Sequence, residues 1–146
     1  MATVFDVAKY IVDKCGEMDT WKLQKLVYYC QAWSLVWDGQ PLFSSKIEAW
    51  ANGPVCRDLY YRHKGRYSVG PDTPIWDGAN PDALSDIERE TIDAVLRDYG
   101  DKPGHWLRAL THLEDPWNQA RVGVPLMEQC ENEITHDMMR FYYGSL

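Results

Sequence analysis

The sequence predicts a mainly α fold: a compact single domain over residues 1–146, built around a central apolar helix, with a short β-strand or hairpin beside it. Three observations carry this. The segment Thr20–Trp37 repeats Leu23, Leu26, Val27, Cys30, Trp33 and Trp37 at helical spacing, and Tyr28, Tyr29, Leu35 and Val36 fall on its other faces. Beyond Lys22 and Lys25 it is apolar almost all round, the signature of a buried helix. Next, Ile47, Glu48, Ala49, Trp50 and Ala51 alternate before the turn Asn52, Gly53, Pro54, which suits an extended strand. Finally, Thr3 with Asp6, Ser85 with Glu88, and Thr135 before an apolar run are helix-start signals.

In chain order, Thr3 caps a first helix whose stripe is Val4, Ala8, Ile11, Val12 and Cys15, and Gly16 stops it. The second helix runs from Thr20 to Trp37 and closes at Asp38 and Gly39. After the strand, Pro54 is expected to open a short helix through Tyr61, because a missing N–H costs nothing in a first turn, and Gly65 closes it. Residues 66–84 hold three Pro and two Gly among polar residues and read as a surface excursion or loose hairpin. Ser85 then starts a helix with the stripe Ile92, Val95, Leu96, Tyr99. Trp106, Leu107 and Leu110 mark a shorter one, and Asp115 with Pro116 opens another turn. Thr135 caps the last helix, with Ile134 and Met139 spaced as a hydrophobic staple; residues 122–133 have no assigned element.

A chain of 146 residues with 45% hydrophobic content buries roughly 70% of its unfolded surface as one domain. No basic-then-apolar leader and no long apolar run are present, so a cytoplasmic protein without a membrane partner is expected. Cys15, Cys30, Cys56 and Cys130 have neither redox nor metal spacing and are read as reduced thiols. The net charge of −7 is uneven. Residues 1–70 carry nine Lys/Arg against seven Asp/Glu, and residues 71–146 carry six against fifteen. That acidic half disfavours phosphate backbones and would attract a basic protein, although a solvated acidic surface without a partner is the commoner origin of such a charge. The one basic cluster, Arg57, Arg62, His63, Lys64 and Arg66, is too small for a nucleic-acid footprint.

Catalytic chemistry finds little support. Cys56, expected in a first turn beside Arg57, could act as a nucleophile with His112 as its base, but a small, inert thiol packed under the turn is the favoured reading, since no Cys or His signature accompanies it. His105 and His112 lie two helical turns apart, short of the three or four converging ligands that zinc needs. His112, Glu114 and Asp115 could form an acid–base cluster, or a capped turn. No glycine-rich phosphate loop is present, and no cofactor or metal is expected. Seven Trp and nine Tyr exceed what a core of this size requires. Trp21, Trp33, Trp50 and Trp106 are assigned to the core, while Trp76, Tyr60 and Tyr61 have the better claim to contact a partner.

The block Leu23, Gln24, Lys25, Leu26, Val27, Tyr28, Tyr29, then Ile47, Glu48, Ala49, Trp50, then Gly53, Pro54, Val55 and Tyr60 resembles the Panacea domain of SocA-like antitoxins. Leu110, Thr111, His112, Glu114, Pro116, Trp117, Ala120 and Arg121 resemble its Thr-His and Pro-Trp segment, and Tyr142 with Tyr143 its closing aromatic pair. The resemblance implies a bacterial or phage antitoxin that neutralises a cognate protein toxin, encoded by the adjacent gene, by direct binding. At least one member delivers its toxin to a Clp-type protease, so a proteolytic adaptor role is implied as well. No DNA-binding domain is expected beside this one, and direct nucleic-acid binding is not. The alternatives are a small cysteine/histidine-dependent enzyme or a nucleic-acid-associated regulator.

On this reading the partner-binding residues are Arg57, Tyr60, Tyr61, Arg62 and Lys64, together with His112, Glu114 and Trp117. Leu23, Lys25, Leu26, Tyr28, Trp50, Gly53, Pro54, Thr111 and Pro116 form the structural motif.

Overall fold

A computed structural model describes residues 1–146. In chain order it contains α1 (Val4–Cys15), β1 (Met18–Asp19), α2 (Thr20–Trp37), β2 (Ile47–Trp50), β3 (Gly53–Cys56), α3 (Arg57–His63), β4 (Ser68–Val69), α4 (Asp86–Tyr99), α5 (Gly104–Leu113), α6 (Asp115–Ala120), β5 (Glu133–Ile134) and α7 (His136–Tyr143). A 3-10 turn at Pro81–Ala83 precedes α4. The fold is thus mainly helical, with two small antiparallel sheets, one ordered β3-β2-β5 and the other pairing β1 with β4.

Local signals set most helix starts. Thr3 and Asp6 form a reciprocal capping box on α1, Ser85 and Glu88 one on α4, and Thr135 caps α7 through Met138 N–H. Asp19 caps α2 by accepting from Lys22 N–H at 2.7 Å. Helix α2 packs against α1, α4, α5, α7 and β3, and Leu23, Leu26, Val27, Tyr29, Cys30 and Ala32 on it are fully buried.

Burial of α2 does not make it wholly apolar. Thr20, Gln24, Lys25, Gln31 and Ser34 are buried on it as well, and the amides and the hydroxyls hold non-helical chain in place. Gln31 donates to Phe43 O at 2.9 Å and accepts from Leu42 N–H at 2.8 Å. Ser34 Oγ donates to Gln40 O at 2.6 Å, and Thr20 Oγ1 to Arg66 O at 3.3 Å. All of these but Lys25 find partners, and the partners are backbone amides and carbonyls that the helices and sheets leave unpaired.

The segment after the alternating strand corrects the sequence reading. Pro54 does not open a helix; it lies in β3, opposite Ala49, in a hairpin whose register pairs Ile47 with Cys56 and Trp50 with Gly53. Since β3 is an edge strand, the missing proline N–H breaks no ladder bond. The helix begins three residues later, at Arg57. The excursion 66–84 is likewise more internal than expected: β4 pairs with β1, and Val69, Ile75, Trp76 and Leu84 are buried.

Residues 122–133, without an assigned element in the sequence, are organised by one buried cation. Arg121 donates to Ala49 O at 2.8 Å through Nη1, and through Nη2 to Pro125 O at 2.9 Å, Leu126 O at 3.2 Å and Glu128 O at 2.5 Å. Its guanidinium also lies 4.9 Å from the Trp117 ring centroid. The chain then joins β2 as β5, with Ile134 opposite Ile47.

Candidate functional site

Helix α3 presents the residues expected to meet a partner. Its first turn carries Asp58 and its last Arg62, charges that complement the helix dipole. Leu59 and His63 turn inward. Arg57 is held by Glu48 of β2 at 2.9 Å and by Glu131 at 2.8 Å. Arg62 donates to Ile75 O at 2.8 Å and Asp77 O at 2.9 Å, and lies over the Phe5 ring. Tyr60 packs edge-on to Trp50 at 4.9 Å. These three residues therefore serve as fastenings between α3 and its surroundings.

What α3 leaves free is Tyr61, 63% exposed, and Lys64, followed by Arg66 and by Tyr67 at 84% exposure. Neither Lys64 nor Arg66 takes part in an ion pair. Two tyrosines interleaved with two unpaired cations form the exposed face here, and Arg66 and Tyr67 are the members of it that sequence reasoning passed over as contacts.

In the second predicted contact region, Glu114 and Trp117 are not at the surface, although the neighbouring Leu113 and Asp115 are exposed. Glu114 is 6% exposed and Trp117 3% exposed. Glu114 Oε1 accepts from Tyr29 Oη at 2.6 Å and Tyr143 Oη at 2.8 Å, and Tyr143 Oη also meets Tyr28 Oη at 2.9 Å. Burial pushes the Glu114 carboxyl above its ordinary pKa, against the opposing pull of the two tyrosine bonds. Trp117 donates to Trp50 O at 2.9 Å. His112 stacks flat on Trp117 at 3.9 Å, and burial, with Arg108, Lys25 and Arg121 nearby, lowers its pKa to about 4. The expected contact role of Glu114 and Trp117 is thus corrected to one of joining α5 and α6 to α2, α7 and the hairpin.

Cys56 is 1% exposed, and burial raises its thiol pKa to about 11, far from the thiolate a nucleophile needs. Nowhere do three His, Cys, Asp or Glu side chains converge as metal ligands. The tryptophan assignment is partly reversed: Trp76 is buried, whereas Trp21 is 36% and Trp106 43% exposed. Trp76 donates to Gly70 O at 2.9 Å, so the loop folds around it.

One structural-motif residue, Lys25, lines a cavity of about 810 Å³ between β1, the start of α2, the hairpin turn and the start of α5, and Gly53 and Thr111 lie close to that lysine. Lys25, 1% exposed, lines it together with Trp21, Asn52, Tyr67, His105 and Arg108. Gly53 sits beside Lys25 with φ +117°, and a Cβ there would lie 2.5 Å from Lys25 Cε. The lysine stem therefore passes where any other residue's side chain would stand, which ties Gly53 to Lys25. Thr111 and Pro116 are buried, as are Leu23, Leu26 and Tyr28; Trp50 is half-buried.

Compared with known proteins, residues 23–118 match the family described as "Antitoxin SocA-like, Panacea domain". No curated protein and no solved structure matches the chain.

Proposed function

This chain belongs to the Panacea-domain family of SocA-like antitoxins, and from that premise we propose that it neutralises a cognate protein toxin by binding it directly. The family match over residues 23–118 carries the proposal. The architecture supports it: a large buried core is spent on holding a small exposed face of Tyr61, Lys64, Arg66 and Tyr67, and the thiol and carboxylate that could have served catalysis are sealed in that core.

The toxin is proposed to be the product of the neighbouring reading frame, met in the cytoplasm of a bacterium or of a phage-infected one. Tyr61 and Tyr67 supply rigid, amphipathic contact area and Lys64 and Arg66 supply charge, the residue types that anchor protein interfaces. Arg57, Tyr60 and Arg62 keep α3 in position for that contact. Delivery of the bound toxin to a Clp-type protease is the finer form of the same role.

The test is growth. The neighbouring reading frame, expressed alone, is expected to arrest cells, and co-expression of this protein to restore them. Restoration that is lost with Tyr61→Ala plus Lys64→Glu, in a variant that still folds, supports contact through α3. A harmless neighbour counts against the reading. Shortening of the toxin's lifetime on co-expression, abolished in cells lacking the protease, would separate delivery from simple neutralisation.

A further inference from the structure

Lys25 is the one lysine taken out of water completely, and no hydrogen-bond partner meets its Nζ. Its ammonium lies 5.4 Å from the Trp21 ring centroid. An isolated buried ammonium is costly to desolvate, yet methionine would fill the same space at no such penalty. Arg108, from the neighbouring face of α5, brings a second cation to the same cavity, and its Nε is also buried without a partner. Two unsatisfied cationic groups converging on one opening are an arrangement that a bound anion would complete.

The start of α5 adds to this. Its cap residue, Pro103, offers no side-chain acceptor, and the first backbone N–H there with a partner is that of Trp106, bonded to Pro103 O. Gly104 has no side chain to cover the turn, and a Cβ there would lie 3.0 Å from Asp19 Oδ2. An acidic side chain thus already rests beside this helix terminus, as the dipole favours. Glu17 and Asp19 line the cavity with negative charge, but Lys22, Lys25 and Arg108 outnumber them.

We propose that the cavity over Lys25 is a binding site for an oxyanion, a carboxylate or phosphate carried by a larger ligand, with Lys25 and Arg108 as its counter-charges. The volume of about 810 Å³ accommodates more than the ion alone. Trp21 and Tyr67, both exposed, give the rest of the ligand an aromatic wall. Tyr67 also belongs to the face proposed to meet the toxin, so a carboxylate from an acidic toxin side chain and one from a free metabolite are the two sources to separate.

The charge state of Lys25 governs the affinity. Burial lowers its pKa to about 7, Arg108 lowers it further and Asp19 opposes both. His63 of α3 and His112 of α5 also face it, each with a pKa near 4, so both are neutral through the window in which Lys25 titrates. An anion therefore binds best below that pH and weakens as Lys25 loses its proton. Lys22 and His105 line the same cavity, and His105→Asn removes the ring that could blur the assignment.

The experiment uses the whole chain, with sulfate and acetate as probes because neither changes charge between about pH 6 and about pH 8.5. At the lower pH one or both should bind saturably, read by calorimetry and by perturbation of the Lys25 side-chain NMR signal. Affinity should fall about tenfold or more at the higher pH, by the linkage between ligand and proton. Lys25→Met should abolish it while raising the melting temperature, Arg108→Gln should weaken it, and His105→Asn should leave the pH dependence in place. No saturable binding by the wild-type chain, or binding unchanged in Lys25→Met, overturns the proposal. Mutual exclusion of acetate and purified toxin assigns the carboxylate to the partner, and simultaneous binding assigns it to a free ligand. Because the probes require no toxin, a failed growth assay and a failed ion titration are separate results.

Discussion

Gln24 holds Cys56 by both of its backbone groups: Oε1 accepts from Cys56 N–H at 2.8 Å, and Nε2 donates to Cys56 O at 3.2 Å. The side-chain amide of a helix thereby acts as one more strand residue on the free edge of β3. It also fixes the point where β3 becomes α3. Gln24→Leu preserves volume but strands two buried backbone groups, and each such loss costs about 1–3 kcal/mol. The urea midpoint should fall accordingly, and amides at the start of α3 should lose hydrogen-exchange protection.

Glu114 ties two tyrosines into one junction, and its titration has a definite sign. A carboxyl whose folded pKa is raised favours folding below its unfolded pKa, and that contribution is lost as pH rises through the folded value. Ionisation as pH rises through that folded value thus works against the fold. Glu114→Gln keeps an acceptor for Tyr29 and Tyr143 and removes the charge, so its stability above that value should equal or exceed that of wild type, with a flatter pH dependence. Glu114→Ala should instead lose about 2–4 kcal/mol, because two buried hydroxyls lose their acceptor. Denaturation across pH distinguishes the two.

Lys25 gives the opposite slope. Its folded pKa is depressed to about 7, so above that pH the unfolded chain binds the extra proton and stability rises with pH until the unfolded lysine titrates as well. Urea midpoints measured from neutral to alkaline pH should climb in wild type and lose that component in Lys25→Met.

Arg121 reaches four carbonyls spread over Ala49 and the turn from Pro125 to Glu128. Lysine keeps the charge but offers a point donor in place of a planar fork. Arg121→Lys should lower stability by about 2–4 kcal/mol, from several charge-assisted bonds lost at once, and make residues 122–129 the first site of limited proteolysis.

The parts of this fold that were legible in the sequence are those with local causes. Capping pairs one turn apart, such as Thr3 with Asp6 and Ser85 with Glu88, announced their helices, and the apolar density of Thr20–Trp37 announced burial. Pro54 was misplaced because the residue suits both a first helical turn and an edge strand, and only the pairing with Ala49 decides between them. Trp76 and Trp106 traded places for the same reason. A tryptophan in a Gly/Pro-rich loop becomes buried when the loop wraps it, which helical spacing cannot register. The buried contacts of Glu114 and Trp117 depend on Tyr29, Tyr143 and Trp50, all distant in the chain, so their exposure was beyond a reading of the local turn.

The central claim is direct binding of a protein toxin, and the most direct measurement is the affinity of this purified protein for the purified product of the neighbouring reading frame. A stable stoichiometric complex in size-exclusion chromatography is the expected result, with affinity reduced about tenfold or more by Tyr61→Ala plus Lys64→Glu in a variant whose unchanged melting temperature confirms its folding. A toxic neighbour that is rescued in cells without forming any complex with this protein would contradict it.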